Sequence, residues 1–183
     1  MKIIFKAIFN PYKMIVLLFV MLGSLLFGQS LPHNLSEDEK KRLDEIGINR
    51  TVTDPPDSIV YAPAEFDTVA GILFAWEAYS TLLTDLIKEV AEDDTAWVVV
   101  DNSTEQNSVY NTLINANVNM DHVVFEVAPT NSVWIRDYGP WWIYEPGDRR
   151  GIIDLTYNRP RPQDDSFPEL FAESFGVNYY GLD

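Results

Sequence analysis

The sequence contains no cysteine and only two histidines, His33 and His122, in 183 residues. Without a thiol there is no disulfide scaffold, no iron–sulfur cluster, no thiolate zinc site, no lipid anchor on a modified cysteine and no cysteine nucleophile within these residues. Positive charge is also scarce: 13 Lys and Arg stand against 28 Asp and Glu, a formal net charge of −15. So acidic a chain avoids nucleic acid and anionic membranes, attracts cationic ligands, and carries much of its charge as a solvated surface. Long apolar runs are lacking except near the start, where Lys2, Lys6 and Lys13 precede an apolar stretch over residues 14–27. A bilayer-spanning helix needs about 20 apolar residues, so this shorter run, ending at Gly28-Gln29, predicts a signal peptide over residues 1–28 and not a stable membrane anchor. Its removal takes away three lysines and no acidic residue, and the expected destination is secreted or periplasmic.

What is present is enough to fold. The chain is 46% hydrophobic and 13% aromatic, which supplies apolar surface to offset the conformational entropy lost on ordering one domain. Residues 29–60 read as a polar arm, with Ser36 and Glu39 spaced as a capping box for a short helix to about Ile46 and a break at Asp54-Pro55-Pro56-Asp57. Residues 61–183 read as the domain proper. Apolar runs at 69–76, 96–100 and 123–127 predict buried strands, separated by helical periodicity over 80–91 and 103–116. Alternating strands and helices argue for an α/β architecture. Segments 141–144 and 152–156 flank Glu145-Pro146-Gly147-Asp148, a hairpin signal. A last helix over 168–175, stopped by Gly176, precedes a last strand over 177–180.

Three segments hold residues suited to chemistry: Asn131 to Trp141, Tyr157-Asn158-Arg159-Pro160-Arg161-Pro162, and Gln163-Asp164-Asp165. Composition alone also fits Arg136 and Asp137 to a strand-end ion pair, the tryptophans to a core, and Arg-Pro-Arg-Pro to a solvated linker. The functional reading starts from the planar, permanently charged guanidinium group, which a carboxylate matches through parallel hydrogen bonds and an aromatic side chain covers. Asp137 and Trp134 supply those two partners. Each proline after Arg159 and Arg161 biases its arginine to extended backbone, so the two side chains fall on the same side as an anion receptor. A carboxylate for a cation and two arginines for an anion suit a peptide ending in arginine.

These residues resemble a known family. The segment WIRDYGPWW at 134–142, YNRPRPQDD at 157–165, PAEFDTVAGILFAW at 63–76 and LPHNLSEDE at 31–39 are similar to the bacterial peptidylarginine and agmatine deiminases of the Porphyromonas type. The resemblance implies the pentein fold, a five-bladed pseudo-symmetric α/β propeller of ββαβ units, of which about the first two are expected here. It implies a cysteine that attacks the guanidinium carbon, release of ammonia, and hydrolysis to the ureido product, without metal or organic cofactor. It assigns Asp137 to the guanidinium as a catalytic residue, Trp134 to the substrate side chain, and Arg159 with Arg161 to a substrate carboxylate. The chain departs from the pattern in having no catalytic cysteine, and neither His33 nor His122 lies in a His-x-Asp motif.

The resulting expectation is the N-terminal part of a guanidine deiminase that converts arginine, at a peptide C-terminus, to citrulline and ammonia, with this chain alone inactive. Agmatine, converted to N-carbamoylputrescine on the way to putrescine, is the alternative substrate. A secreted module that binds arginine peptides without turnover is the alternative of another class.

Overall fold

The computed structural model describes residues 32–58, 60–64 and 66–182. The signal-peptide expectation lies outside them. Among the described residues, six strands and four helices follow in the order β1 (Ile72–Ala75), α1 (Ser80–Asp93), β2 (Ala96–Val100), α2 (Ser103–Asn115), β3 (Val123–Val127), a single-turn α3 (Ile135–Tyr138), β4 (Trp141–Glu145), β5 (Arg149–Leu155), α4 (Pro162–Phe175) and β6 (Asn178–Leu182). The first sheet, β1-β2-β3, is wholly parallel, with Val98 opposite Phe74 and Phe125. The second, β4-β5-β6, pairs β4 and β5 antiparallel and β5 and β6 parallel, which makes one ββαβ unit with α4 as the crossover.

Strand β2 explains how the two halves share a core. Successive side chains of a strand point to opposite faces, and Val98 and Val100 enter a cluster with Leu83, Ile87 and Leu113, whereas Val99 enters one with Ile152, Phe167 and Phe171. Burial on both faces requires the unbroken apolar run Ala-Trp-Val-Val-Val. On α1, Leu83, Ile87 and Ala91 form the buried stripe. Leu82 and Leu86 are exposed, because each sits about 100° around the helix from the stripe residue that follows it. Helix α2 opens on Asn102, whose side chain accepts from the backbone of Thr104 and Glu105 at 3.0 Å.

Two expected boundaries move. The strand over 69–76 shortens to β1, with Val69 exposed. The last helix starts six residues earlier than expected, at Pro162. Proline suits a first helical position, where its missing N–H costs nothing, so Pro162 is the start signal and Pro168 lies inside the helix, buried. Gly176, at φ +62°, ends it as expected.

The arm is tied to the domain by two long-range ion pairs. Ser36 and Glu39 do exchange capping-box bonds, at 2.7 and 3.2 Å, but they open two short 3-10 turns, Glu39–Lys41 and Leu43–Glu45, instead of one α-helix. Glu39 turns inward to meet Arg161 at 2.7 Å, both side chains fully buried. Arg50 meets Asp154 at 2.9 Å, again buried, and the same aspartate accepts from Tyr179 at 2.7 Å. Residues 51–53 then run along β6, where Thr53 N donates to the Gly181 carbonyl at 2.9 Å. Only glycine permits this approach, since a Cβ on Gly181 would collide with the Thr51 carbonyl oxygen. Gly181→Ala is therefore expected to destabilise the chain by about 1–3 kcal/mol through enforced backbone displacement. Urea denaturation measures the loss, and amide exchange faster at residues 51–53 than in β2 locates it.

Candidate functional site

The site is built on the loop that crosses from β3 to α3. Ala128 N still bonds to the Val100 carbonyl, and beyond it the chain leaves the first sheet and meets the start of α4. Asp164, in the first turn of α4, accepts from Asn131 N at 2.6 Å, Ser132 N at 3.0 Å and Ser132 Oγ at 2.6 Å. A carboxylate is favoured in that turn by the helix dipole. Asn131 Oδ1 in turn accepts from Gln163 N at 2.9 Å, and the buried Tyr138 hydroxyl donates to the Ser132 carbonyl at 2.8 Å. Both ends of the segment carrying Trp134 and Asp137 are thereby fixed. Asp137 sits on the single turn α3, not at a strand end as the sequence suggests.

Asp137 and Arg159 line one cavity of about 520 Å³ together with His33, Arg136, Trp141 and residues 155–158. The Asp137 side chain is 35% exposed, and its Oδ2 lies 3.1 Å from His33 Nε2. Trp134 is half-buried and meets the His33 ring edge-on, with centroids 5.3 Å apart. Arg159 Nη1 donates to the Asn158 side chain at 2.7 Å and its Nε to the His33 carbonyl at 3.2 Å.

Arg161 corrects the expectation of a free pair of cations on extended backbone. The backbone is folded: Arg159 N bonds to the Tyr157 carbonyl and Arg161 N to the Arg159 carbonyl, each at 2.8 Å, which makes consecutive three-residue turns. The Arg161 side chain is buried, bonded to Glu39, to Ser132 Oγ and Tyr157 Oη at 3.4 Å each, and to the Pro32 carbonyl. Burial pushes the Glu39 carboxyl up, but the bonds from Arg161 and Ser36 outweigh it and hold the group below the usual carboxylate range. His33 and Glu39 escape the sequence reading as site components, and only the capping-box spacing of Ser36 and Glu39 hints at either. Asp164 falls in a segment the sequence singles out, but its structural task is not visible there.

The model of the Porphyromonas-type peptidyl-arginine deiminase family matches residues 61–180. The chain belongs to that family. Among solved structures, the C. jejuni agmatine deiminase is similar with a TM-score of 0.51 at 21% identity, over 68% of this chain and 40% of that one. Its Cys-to-Ser variant with substrate bound gives 0.54 at 20% identity, over 68% and 40%. A structural-genomics target assigned to the agmatine deiminases gives 0.57 at 15% identity, over 67% and 39%. At such identities the likeness establishes the fold, a partial pentein, and the chain spans about 40% of the length of these relatives.

Adjoining the loop that carries the candidate site of this family member is an acidic network. Burial pushes Glu77 up to about 7, against the bond from Thr130 Oγ1, with Asp101, Glu105 and Asp164 adding to the rise. Burial likewise pushes Asp164 up to about 6, despite its bonds from Ser132 and Asn131. Among the described residues no three His, Asp or Glu side chains are grouped to hold a metal ion.

Two outcomes follow from this geometry. Arg161→Ala leaves Glu39 buried without its partner and is expected to cost about 3–5 kcal/mol of stability, whereas Arg159→Ala, at a half-exposed side chain, stays within about 1 kcal/mol; denaturant midpoints of the two variants test the difference. The second concerns pH. Glu77 and Asp164 bind protons more tightly folded than unfolded, so their contribution to stability is full below the ordinary carboxylate range. It is lost as pH rises through about 6 for Asp164 and about 7 for Glu77. Between about pH 5 and about pH 8 the urea midpoint should fall further in the wild type than in Glu77→Gln, which cannot ionise.

Proposed function

We propose that this chain provides the guanidinium-recognition part of a deiminase acting on arginine, with arginine at a peptide C-terminus as the preferred substrate. The observation that carries the reading is the convergence of Asp137 and Arg159 on one cavity, with Trp134 on the same loop, in a member of the peptidyl-arginine deiminase family. Asp137 offers a carboxylate to two parallel N–H groups of a guanidinium, and Trp134 offers an aromatic wall. Arg159 suits a substrate carboxylate. Agmatine has none, so it leaves that cation without a task; the burial of Arg161 nonetheless favours agmatine as the second reading.

Deimination itself requires a nucleophile at the guanidinium carbon, departure of ammonia, and a water that releases the ureido product. The 183 residues contain no cysteine, and the C. jejuni relative is described with substrate bound in a Cys-to-Ser variant. The chain alone is accordingly proposed to bind without turning over. Export by the N-terminal signal sequence, and action on extracellular or periplasmic arginine, belong to the same proposal.

Calorimetry with a peptide ending in arginine, its C-terminal amide and agmatine tests the reading. Asp137→Asn should weaken all three by roughly two- to five-fold, the loss expected for a partly exposed ion pair. Arg159→Ala should weaken only the free acid. Equal losses on acid and amide would make Arg159 structural and leave agmatine as the favoured substrate. Citrulline or ammonia released by the purified chain would overturn the mechanism.

A further inference from the structure

The residues singled out for a ligand already share a partner, and it belongs to the chain itself. His33 Nε2 lies 3.1 Å from Asp137 Oδ2, and the His33 ring meets Trp134 edge-on at 5.3 Å. The His33 carbonyl accepts from Arg159 Nε at 3.2 Å, and the preceding carbonyl, of Pro32, accepts from Arg161 Nη2. A planar nitrogen-bearing ring thus stands against the carboxylate and the tryptophan, the place proposed for a guanidinium. The His33 main-chain oxygen stands on Arg159, the place proposed for an oxygen of a peptide terminus. We infer that Pro32–His33 is an internal occupant of the guanidinium site, a built-in competitor that an arginine-like ligand displaces. The inference rests on the reading of Asp137 and Trp134 as guanidinium partners.

The geometry lets the segment leave without unfolding the rest. The His33 side chain is 57% exposed, whereas the buried Glu39–Arg161 pair holds the arm six residues farther on. The capping-box bonds hold Ser36 to Glu39, so residues 34 and 35 act as a short tether. A tethered group reaches an effective concentration of about millimolar, enough to compete with a free ligand of moderate affinity. Occupancy by the segment lowers the apparent affinity for any external guanidinium in proportion to the fraction of chains whose site is open.

The test uses the full chain with agmatine as the probe, because agmatine reaches Asp137 and Trp134 without needing the arginines. His33→Ala should bind agmatine roughly ten-fold more tightly than the wild type. In the unmodified chain, agmatine should shift the His33 imidazole resonances and raise amide exchange at residues 33 and 34, a readout that needs no variant. Equal affinity of wild type and His33→Ala, with the His33 resonances undisturbed, would overturn the inference while leaving guanidinium recognition intact. Agmatine that binds neither form, or binds Asp137→Asn as well as wild type, would overturn guanidinium recognition and the competition with it.

Discussion

The Asp164 carboxylate is the constraint on which the site depends. It lies fully buried at the first turn of α4 and accepts three hydrogen bonds from residues 131 and 132, which belong to a loop more than 30 positions earlier. Backbone N–H groups in a buried loop must find acceptors, and no strand partner is at hand where the chain leaves β3. Asp164 fills that role, and burial raises its own proton affinity as a consequence. The turn it pins carries Trp134 and Asp137, and Tyr138 closes the same loop from the other end through the Ser132 carbonyl. The exit from the first sheet, the crossover helix of the second and the candidate site are thus joined at one buried carboxylate.

The arm is held by a different kind of contact. Buried ion pairs recover the cost of desolvation only with close geometry and added hydrogen bonds, so they specify position more than they stabilise. Arg50 and Arg161 both meet that condition: Arg50 also donates to the Asp154 and Leu182 carbonyls, and Arg161 to the Pro32 carbonyl and two hydroxyls. Apolar contacts slide. A paired guanidinium does not, and the two pairs set the register of residues 32–53 against β5, β6 and the start of α4.

Most of the fold is legible in the sequence because its signals are local. Strand β2, strand β3 and helix α2 fall where runs and periodicity place them, and Gly176 stops α4 as its φ requires. The start of α4 is misread because Pro162 and Pro168 compete for the first helical position. The bonds from Asn131 and Ser132 to Asp164, which hold the first turn of α4, are tertiary and cannot be read locally. Of the candidate residues, Asp137 and Arg159 converge on one cavity, whereas Arg161 is buried against Glu39. Their present partners are not legible in the sequence. Pairs separated by 104 and 122 positions, Arg50 with Asp154 and Glu39 with Arg161, leave no periodicity to read. The same holds for His33, an isolated histidine whose role emerges only when its ring and carbonyl are located.

The balance of forces at the cavity sets what a short internal segment needs in order to compete there. Asp137 is one carboxylate, over a third exposed, and a guanidinium has five donors of which a single carboxylate takes two. An exposed pair of this kind contributes about 0–1 kcal/mol, and an aromatic wall adds about 0.5–1 kcal/mol at an exposed site. On the proposed reading, such a site holds a free guanidinium weakly. An imidazole delivered on a tether loses little translational freedom on docking, so it needs no better contacts than the external ligand to compete with it. Strengthening recognition therefore requires a further carboxylate on the opposite edge of the guanidinium, since the remaining donors, once desolvated, must be paired. A ligand clamped from both edges would gain the advantage over His33 that Asp137 alone does not give, because a guanidinium presents five N–H donors and an imidazole at most two.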